Sequence, residues 1–572
     1  MSAIDTQAIY PGRSEAVRKQ LRVRLSTLFL LIIIAIGLES CYLALYPWLA
    51  GRTPLDPLRQ SWEALLPMRS IVYSRLDWFS YLSTFNWPAP FYGHLYPLLL
   101  LLGLALFFLW LAVRTGNRAG RLIVVRAGIY LRPIFWTILI LSMLMGVTMV
   151  LAPIHLDEMA RSMLQSGLYG RTVATYHLNP YLSHATVLAH DPIQVLINRL
   201  PPSEGVTVGT VGPVWMDISI LIAFFAHANS GAIVLSWRVL ALLAHLFNII
   251  LIWSLLSVQK PLYRISGTLL YAWNPLVLLF GVAFVHPEIL LVSVMLLAFL
   301  SFQRDATLLG WVFALLAALI SLYTMILLPL LFIFALRQGW VQGCGWFLLW
   351  IIGMLAITAL MLVLAYIPYW QGWGITGILL SMRGVFWQDG TINSLNAAVM
   401  GMPVHLPGNW LNYVQPRNWS LAALAIMSLY LFITLWIVDS FEIVLQCSGW
   451  LFFLWILLQP TYWPWYMLLP FIIAISASNR REVLAATLLM IGALISYYFW
   501  QWSHVWEGQG LAIIGIPCLL WGWALFFRST WQMLRGGSNN QRSPQEDSRP
   551  QKLKRPPWFS RSWTSRPNRQ LR

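Results

Sequence analysis

The stretch PIFWTILILSMLMGVTMVLAP, residues 133–153, carries no charge and is followed at once by IHLDEMAR, residues 154–161. An uncharged run of about 20 residues is long enough to cross the hydrocarbon of a bilayer as a helix. Two adjacent carboxylates, Asp157 and Glu158, stand just past its end, in a chain with only 20 acidic residues among 572. Comparable runs recur near 25–45, 95–113, 232–257, 266–284, 286–302, 308–320, 322–337, 345–366, 419–438, 441–458, 463–478, 482–500 and 511–534. Lipid-exposed backbone must satisfy its own hydrogen bonds, and the runs lack the polar/apolar alternation of a barrel. The fold class is therefore an all-α polytopic membrane protein of about 14 transmembrane helices. With 59% hydrophobic and 10% charged residues, the chain is far from the soluble norm of about a quarter charged.

The net charge of +17 invites a nucleic-acid partner, and its distribution excludes one. Arg13, Arg18, Lys19, Arg22 and Arg24 precede the first span, Arg114, Arg118, Arg121, Arg126 and Arg132 fill one short loop, and much of the rest lies beyond Arg535. Clusters beside span ends are what the positive-inside rule produces, and no base-stacking module accompanies them. The bilayer is the partner this charge fits. The basic N-terminus, 1–24, and the basic tail, 535–572, belong in the cytoplasm, which requires an even number of crossings of the plasma membrane. Residues 214–228 are apolar enough to be one span more. Laid along the outer interface instead, they leave Lys260, Arg264, Arg304, Arg337, Arg480 and Arg481 all inside, the arrangement preferred here. Three long outer loops result, 46–94, 154–213 and 367–418. Residues 25–130 read as an additional N-terminal hairpin, 131–534 as the main transmembrane domain, and the Gly-, Ser-, Gln- and Pro-rich tail as disordered. Cys41, Cys344, Cys447 and Cys518 lie in apolar stretches without disulfide or metal-ligand spacing.

The long loop after residue 153 is where chemistry is expected. Residues 157–167 suit a short amphipathic helix with an apolar stripe of Met159, Met163 and Leu164. Arg161 comes four residues after Asp157 and shares its face. Asp157 then either caps this helix or serves as a general base near lipid, with Arg161 offering its fork to a phosphate. His155, Asp157 and Glu158 together could hold a divalent cation, magnesium or manganese.

The order of motifs resembles the GT-C glycosyltransferases, nearest the bacterial polyprenyl-phosphate-mannose-dependent mannosyltransferases. An acidic residue after a span, then Asn179-Pro180-Tyr181, then Gly212-Pro213-Val214-Trp215, is similar to their first outer, catalytic loop. Tyr271-Ala272-Trp273-Asn274-Pro275-Leu276 resembles their Trp-Asn-Pro-Leu helix, and Val285-His286-Pro287-Glu288 stands where they have Gly-His-Asn-Asp. Tyr366-Ile367-Pro368-Tyr369 and Pro464-Trp465-Tyr466 match later landmarks. The likeness covers about 130–480. It implies a GT-C-like bundle and transfer of a hexose, with inversion, from a polyprenyl-phosphate donor to an extracytoplasmic glycan or lipid acceptor. Asp157 would be the base, with Glu158, Arg161, Asn179, Tyr181, His286, Glu288, Trp465 and Tyr466 about the substrates. Pro287 and Glu288 depart from the family's Asn and Asp, and Val211 from its Tyr.

Each motif also has a plain reading. Asn179-Pro180-Tyr181 makes a turn, and Trp273-Asn274-Pro275 kinks a helix, Asn274 bonding the carbonyl that Pro275 frees. His286 is a polar residue at headgroup level, and Trp465 with Tyr466 an aromatic belt. Two other function classes compete: a transporter or flippase of a lipid-linked glycan, and a non-catalytic assembly protein of the same fold. Transporters place ionisable residues at mid-membrane and repeat their architecture; here Glu39, Asp439 and Glu442 are acidic residues in or at the edges of spans, and no repeat is evident.

Overall fold

The computed structural model describes residues 11–46, 92–123, 131–152, 158–182, 185–200, 211–227, 229–386, 391, 394–400, 415–477 and 479–503. Most of the loop expected at 46–94 and all of the tail expected at 535–572 lie outside them. Where described, the chain is helical, with one isolated backbone bridge between Val211 and Ser321. Among the described residues eight helices are long and apolar enough to cross a membrane, nine if one bent pair counts as a single span.

Helices α1 (Pro11–Ala44), α2 (Tyr92–Ile123) and α3 (Leu131–Leu151) come first. Helix α4 (Glu158–Ala174) runs seven residues past the amphipathic segment expected to end at 167 and buries the expected stripe of Met159, Met163 and Leu164. Its Trp215-bearing neighbour α5 (Pro213–Ala226) opens on Gly212 and Pro213, a residue suited to the first helical position. Helix α6 (Ser230–Gln259) starts at Asn229, whose side chain accepts from the Ala232 N–H. Next come α7 (Arg264–Ala272), α8 (Glu288–Gln303), α9 (Thr307–Ile320), α10 (Leu328–Gln342), α11 (Cys344–Tyr366) and α12 (Gly374–Phe386). The last are α13 (Pro416–Ile437), α14 (Phe441–Leu458), α15 (Leu468–Ala477) and α16 (Arg480–Ser503).

Helix α15 is buried at every position and α8 at most of them, so they form the centre. Helix α11 is as apolar, yet only Met354, Ala365 and Tyr366 are buried. An apolar helix with its sides open belongs against lipid. At one end of the bundle, the far end, Lys260 pairs with Glu442 at 3.3 Å and Arg337 pairs with Asp439. Arg337 also donates to the Leu435 and Trp436 carbonyls, at 2.9 and 3.1 Å, closing the last turn of α13. The opposite end gathers the C-termini of α3, α9 and α11 with the N-termini of α6 and α8.

Candidate active site

A break in the chain builds this end. After α7 the axis turns by 45° into Pro275–Ala283. Pro275 removes a backbone donor and obstructs a continuous helix. Asn274 accepts from the Leu276 N–H at 2.9 Å, starting the next turn, while its own amide nitrogen has no partner. The carbonyl that Pro275 frees is that of Tyr271, and it accepts from the Asn274 backbone N–H at 3.3 Å rather than from its side chain; the Trp273 carbonyl accepts from the Tyr42 hydroxyl of α1 at 2.9 Å. Leu278–Ala283 then widen into a π-helical turn, a rare form common at functional sites. Val285 comes next with φ of 51°, a left-handed conformation costly for a β-branched side chain. Together these turn His286 and Glu288 inward. His286 is wholly buried, so its ring meets protein rather than lipid.

Arg238 of α6 locks this turn to the end of α3. Fully buried, it donates from Nε to the Ala283 carbonyl at 2.8 Å and from Nη1 to the carbonyls of Val150, at 3.0 Å, and Ala152. A second chain of contacts leads from the start of α4. The Met159 N–H donates to the Tyr497 hydroxyl at 3.2 Å, Tyr497 lies 6.0 Å from Trp463, and Trp463 stacks on Trp465 at 4.9 Å. Trp465 in turn stacks on His286 at 3.7 Å and 10°. Residues on both sides of the 153–157 loop therefore converge on the His286 turn. His155 and Asp157 themselves lie outside the described residues, and Glu158 enters the description only as the first residue of α4. Arg161 is buried. Among the described residues no group of three or more His, Cys, Asp and Glu side chains could share a metal ion. Trp465 is buried and already stacked, unlike a residue of an interfacial belt.

Behind His286 lies a polar cluster in apolar surroundings. Glu288 is 3% exposed, and its Oε2 has no partner. Its carboxyl group lies close enough to the phenols of Tyr323 and Tyr466 to interact with them. Tyr323 stacks on Trp455 at 4.8 Å and lies 6.0 Å from Tyr466. The Tyr323 hydroxyl, the Trp455 Nε1 and both His286 nitrogens are also buried without partners. Such a group costs about 1–3 kcal/mol, so the cluster is destabilising in the free protein.

Asn179 and Tyr181 build the neighbouring wall. Asn179 donates to the carbonyls of Tyr369 and Gln371 at 2.8 and 3.1 Å and accepts from the Tyr181 N–H at 3.0 Å. The Tyr181 hydroxyl donates to the Val211 carbonyl at 3.1 Å, and its ring stacks on Trp373 at 4.3 Å. Gly212 sits so close to α9 that its N–H donates to the Ile320 carbonyl at 3.1 Å. A Cβ at Gly212 would fall 1.9 Å from the Leu319 carbonyl oxygen. The three landmarks Asn-Pro-Tyr, Gly-Pro-x-Trp and Tyr-Ile-Pro-Tyr are thus one clasp. Sequence reasoning missed Asp217, which accepts from the Tyr369 hydroxyl at 2.6 Å, and the roles of Arg238, Trp455 and Tyr497. A carboxylate one turn inside an apolar helix, and an arginine well inside an apolar run, were the available signals.

Among the described residues the structure is a helical bundle with a buried polar cluster at one end, walled by these landmarks. Residues 168–337 match the model of the MptA_B family, described as alpha-(1->6)-mannopyranosyltransferase, N-terminal domain. The resemblance read from the motifs is to such a GT-C-type mannosyltransferase family, and this match agrees with it over 168–337. The matched stretch holds Asn179, Tyr181, Gly212, His286, Glu288 and Tyr323. No curated protein and no solved structure matches the chain.

Proposed function

We propose that the protein is an inverting GT-C glycosyltransferase that moves a hexose, mannose by family, from a polyprenyl-phosphate carrier to an extracytoplasmic glycan or lipid acceptor. The observation that carries this reading is the mannosyltransferase-family match over 168–337, a stretch that Arg238 fastens to the end of α3 from which the Asp157 loop departs. In this reading the site end faces outward from the plasma membrane, about fourteen helices cross, α5 lies along the outer interface, and both termini are cytoplasmic. The far-end cations Lys260 and Arg337 suit that orientation.

The position of such a site dictates its chemistry. The carrier's isoprenoid stays in the bilayer and its phosphate at the interface. Asp157 takes the proton of the acceptor hydroxyl as that oxygen bonds to the anomeric carbon. The bond from that carbon to the phosphate oxygen breaks, and the carrier phosphate leaves with the electron pair. A single displacement inverts the centre and needs one base. Arg161 offsets the charge growing on the departing phosphate. No step is routed through a cation, since two of its expected ligands, His155 and Asp157, lie outside the described residues. The test is transfer from radiolabelled polyprenyl-phosphate mannose by purified protein. Asp157→Asn should lower the rate by about 10²–10⁴, the usual worth of a general base, and Glu158→Gln by less. Full activity in both variants would sink the catalytic reading of the loop.

A further inference from the structure

We propose that helix α2 carries a binding strip for an anionic phospholipid of the leaflet at the far end of the bundle, its chains along Leu100–Trp110 and its phosphate on Arg114, Arg118 and Arg121. Leu100, Phe107 and Trp110 are 69%, 50% and 48% exposed, and the three arginines that follow are exposed as well. At about 100° per residue, all six fall within a band about 80° wide on the helix surface. The opposite face is taken by protein. Ala112 and Ala119 are buried there, and a Cβ added at Gly120 would fall 2.3 Å from the Leu262 carbonyl oxygen. The band therefore looks away from the bundle. Its arginine end is the far end, because Leu262 follows closely on Lys260.

Length and charge together fit a phospholipid. From Leu100 to Trp110 the helix rises about 15 Å, which is half of a hydrocarbon core about 30 Å thick, the reach of one leaflet's chains. Trp110 then stands where an indole ring prefers to sit, at the border of the hydrocarbon. It stacks on Phe107 at 5.9 Å, and the Arg114 guanidinium lies over it at 5.2 Å. Two further turns carry Arg118 and Arg121 to the level of the headgroups. Their charge is uncompensated. The sequence has no Asp or Glu between Asp77 and Asp157, and among the described residues no acid forms an ion pair with any of the three. The positive-inside bias accounts for cations beside a span end, and not for their alignment with the apolar half of the band. Guanidinium forks match phosphate oxygens two at a time. A soluble phosphate or an acidic protein segment would engage the arginines alone; a phospholipid meets both halves at once.

The test takes the full-length protein from nanodiscs of mixed phosphatidylcholine and phosphatidylglycerol into detergent and counts the lipids it retains by native mass spectrometry. The parent should retain phosphatidylglycerol about 10–100-fold over phosphatidylcholine, the range for two or three basic residues at an anionic surface. Changing Arg114, Arg118 and Arg121 together to Gln should bring the two lipids to within about 3-fold of each other. Gln is a good helix former, so this variant should unfold in pure phosphatidylcholine at the parent's temperature. Arg118→Gln alone should lower the preference about 3–10-fold and serves as the reading should the triple change disturb the helix. Arg555→Gln, Arg561→Gln and Arg566→Gln together remove the same charge from the tail and should leave the preference intact. An equal loss in that tail variant would show diffuse surface charge and overturn the strip. Equal retention of both lipids by the parent, or the parent's preference persisting in both α2 variants, would overturn it as well. Soluble glycerol phosphate, which has the phosphate without the chains, should not displace the lipid; displacement at equal concentration would reduce the strip to simple anion pairing and refute the lipid site.

Discussion

Replacing Gly212 by Ala puts a methyl group where two backbones already touch. The new Cβ would lie 1.9 Å from the Leu319 carbonyl oxygen and 2.5 Å from its carbon. A close carbon–oxygen contact needs about 3.3 Å, so the segments must part by about 1.4 Å, that is 3.3 less 1.9. Both atoms in conflict belong to the main chain, so no side chain can swing aside. Parting them breaks the Gly212 N–H bond to the Ile320 carbonyl and the Val211–Ser321 bridge. Overpacking costs about 1–3 kcal/mol and a stranded buried carbonyl about 1–3 more, so the loss should be about 2–6 kcal/mol. Gly103 in α2 supplies the control, since nothing lies within 4 Å of its added Cβ. Gly103→Ala should be neutral or gain up to about 1 kcal/mol from helix propensity. Denaturant or thermal unfolding in nanodiscs measures both. Tyr323 stands two residues after the bridged Ser321, so transfer by whatever folded Gly212→Ala survives should also fall. Equal stability of the two variants would refute the close approach and the clasp drawn from it.

A buried ion pair between α4 and the turn at residue 191 gives a second test: Asp191→Ala strands the buried Arg171, which pairs with Asp191 at 2.8 Å, and should cost about 3–5 kcal/mol in unfolding, whereas a loss below about 1 kcal/mol would mean that the pair is hydrated. Arg238→Lys keeps the charge but lacks the fork that reaches both Ala283 and Ala152. It should lose one charge-assisted bond, about 1.5–3 kcal/mol by the same unfolding measurement, and a variant as stable as the parent would remove Arg238 as the lock. Orientation is checked with an impermeant thiol reagent: the exposed Cys344, at the far end, should react only after lysis, while a cysteine replacing the exposed Ala189 should react in intact cells. The opposite pattern would invert the topology.

How far this protein can be read without coordinates depends on which physical force sets each feature. Crossing helices are set by lipid, which tests only length and apolarity, and these are written locally. The run expected at 441–458 is α14, Phe441–Leu458, and the one at 345–366 differs from α11 by one residue. Which helices meet is a different matter. Lipid is as apolar as a core, so burial leaves little trace in composition: α15, buried at every position, and α11, almost wholly open, are equally hydrophobic to the eye. The pairing of Tyr323 with Trp455, 132 positions apart by subtraction of their numbers, had no local signal at all. The His286 turn sits between these extremes. Trp273-Asn274-Pro275 announces a break, since Pro275 must interrupt the ladder, and the break was legible. The geometry beyond the break was not, because a π-turn and a left-handed Val285 cost energy locally and persist only where the surrounding structure enforces them. The family's glycine at the position of Val285 was the one hint, as glycine takes positive φ freely. Here a β-branched residue holds that conformation with its side chain buried, and the strain falls directly before the histidine and carboxylate of the proposed site. A chain that gives up stability to both a strained turn and unpartnered polar atoms at one place has a functional reason to keep them together.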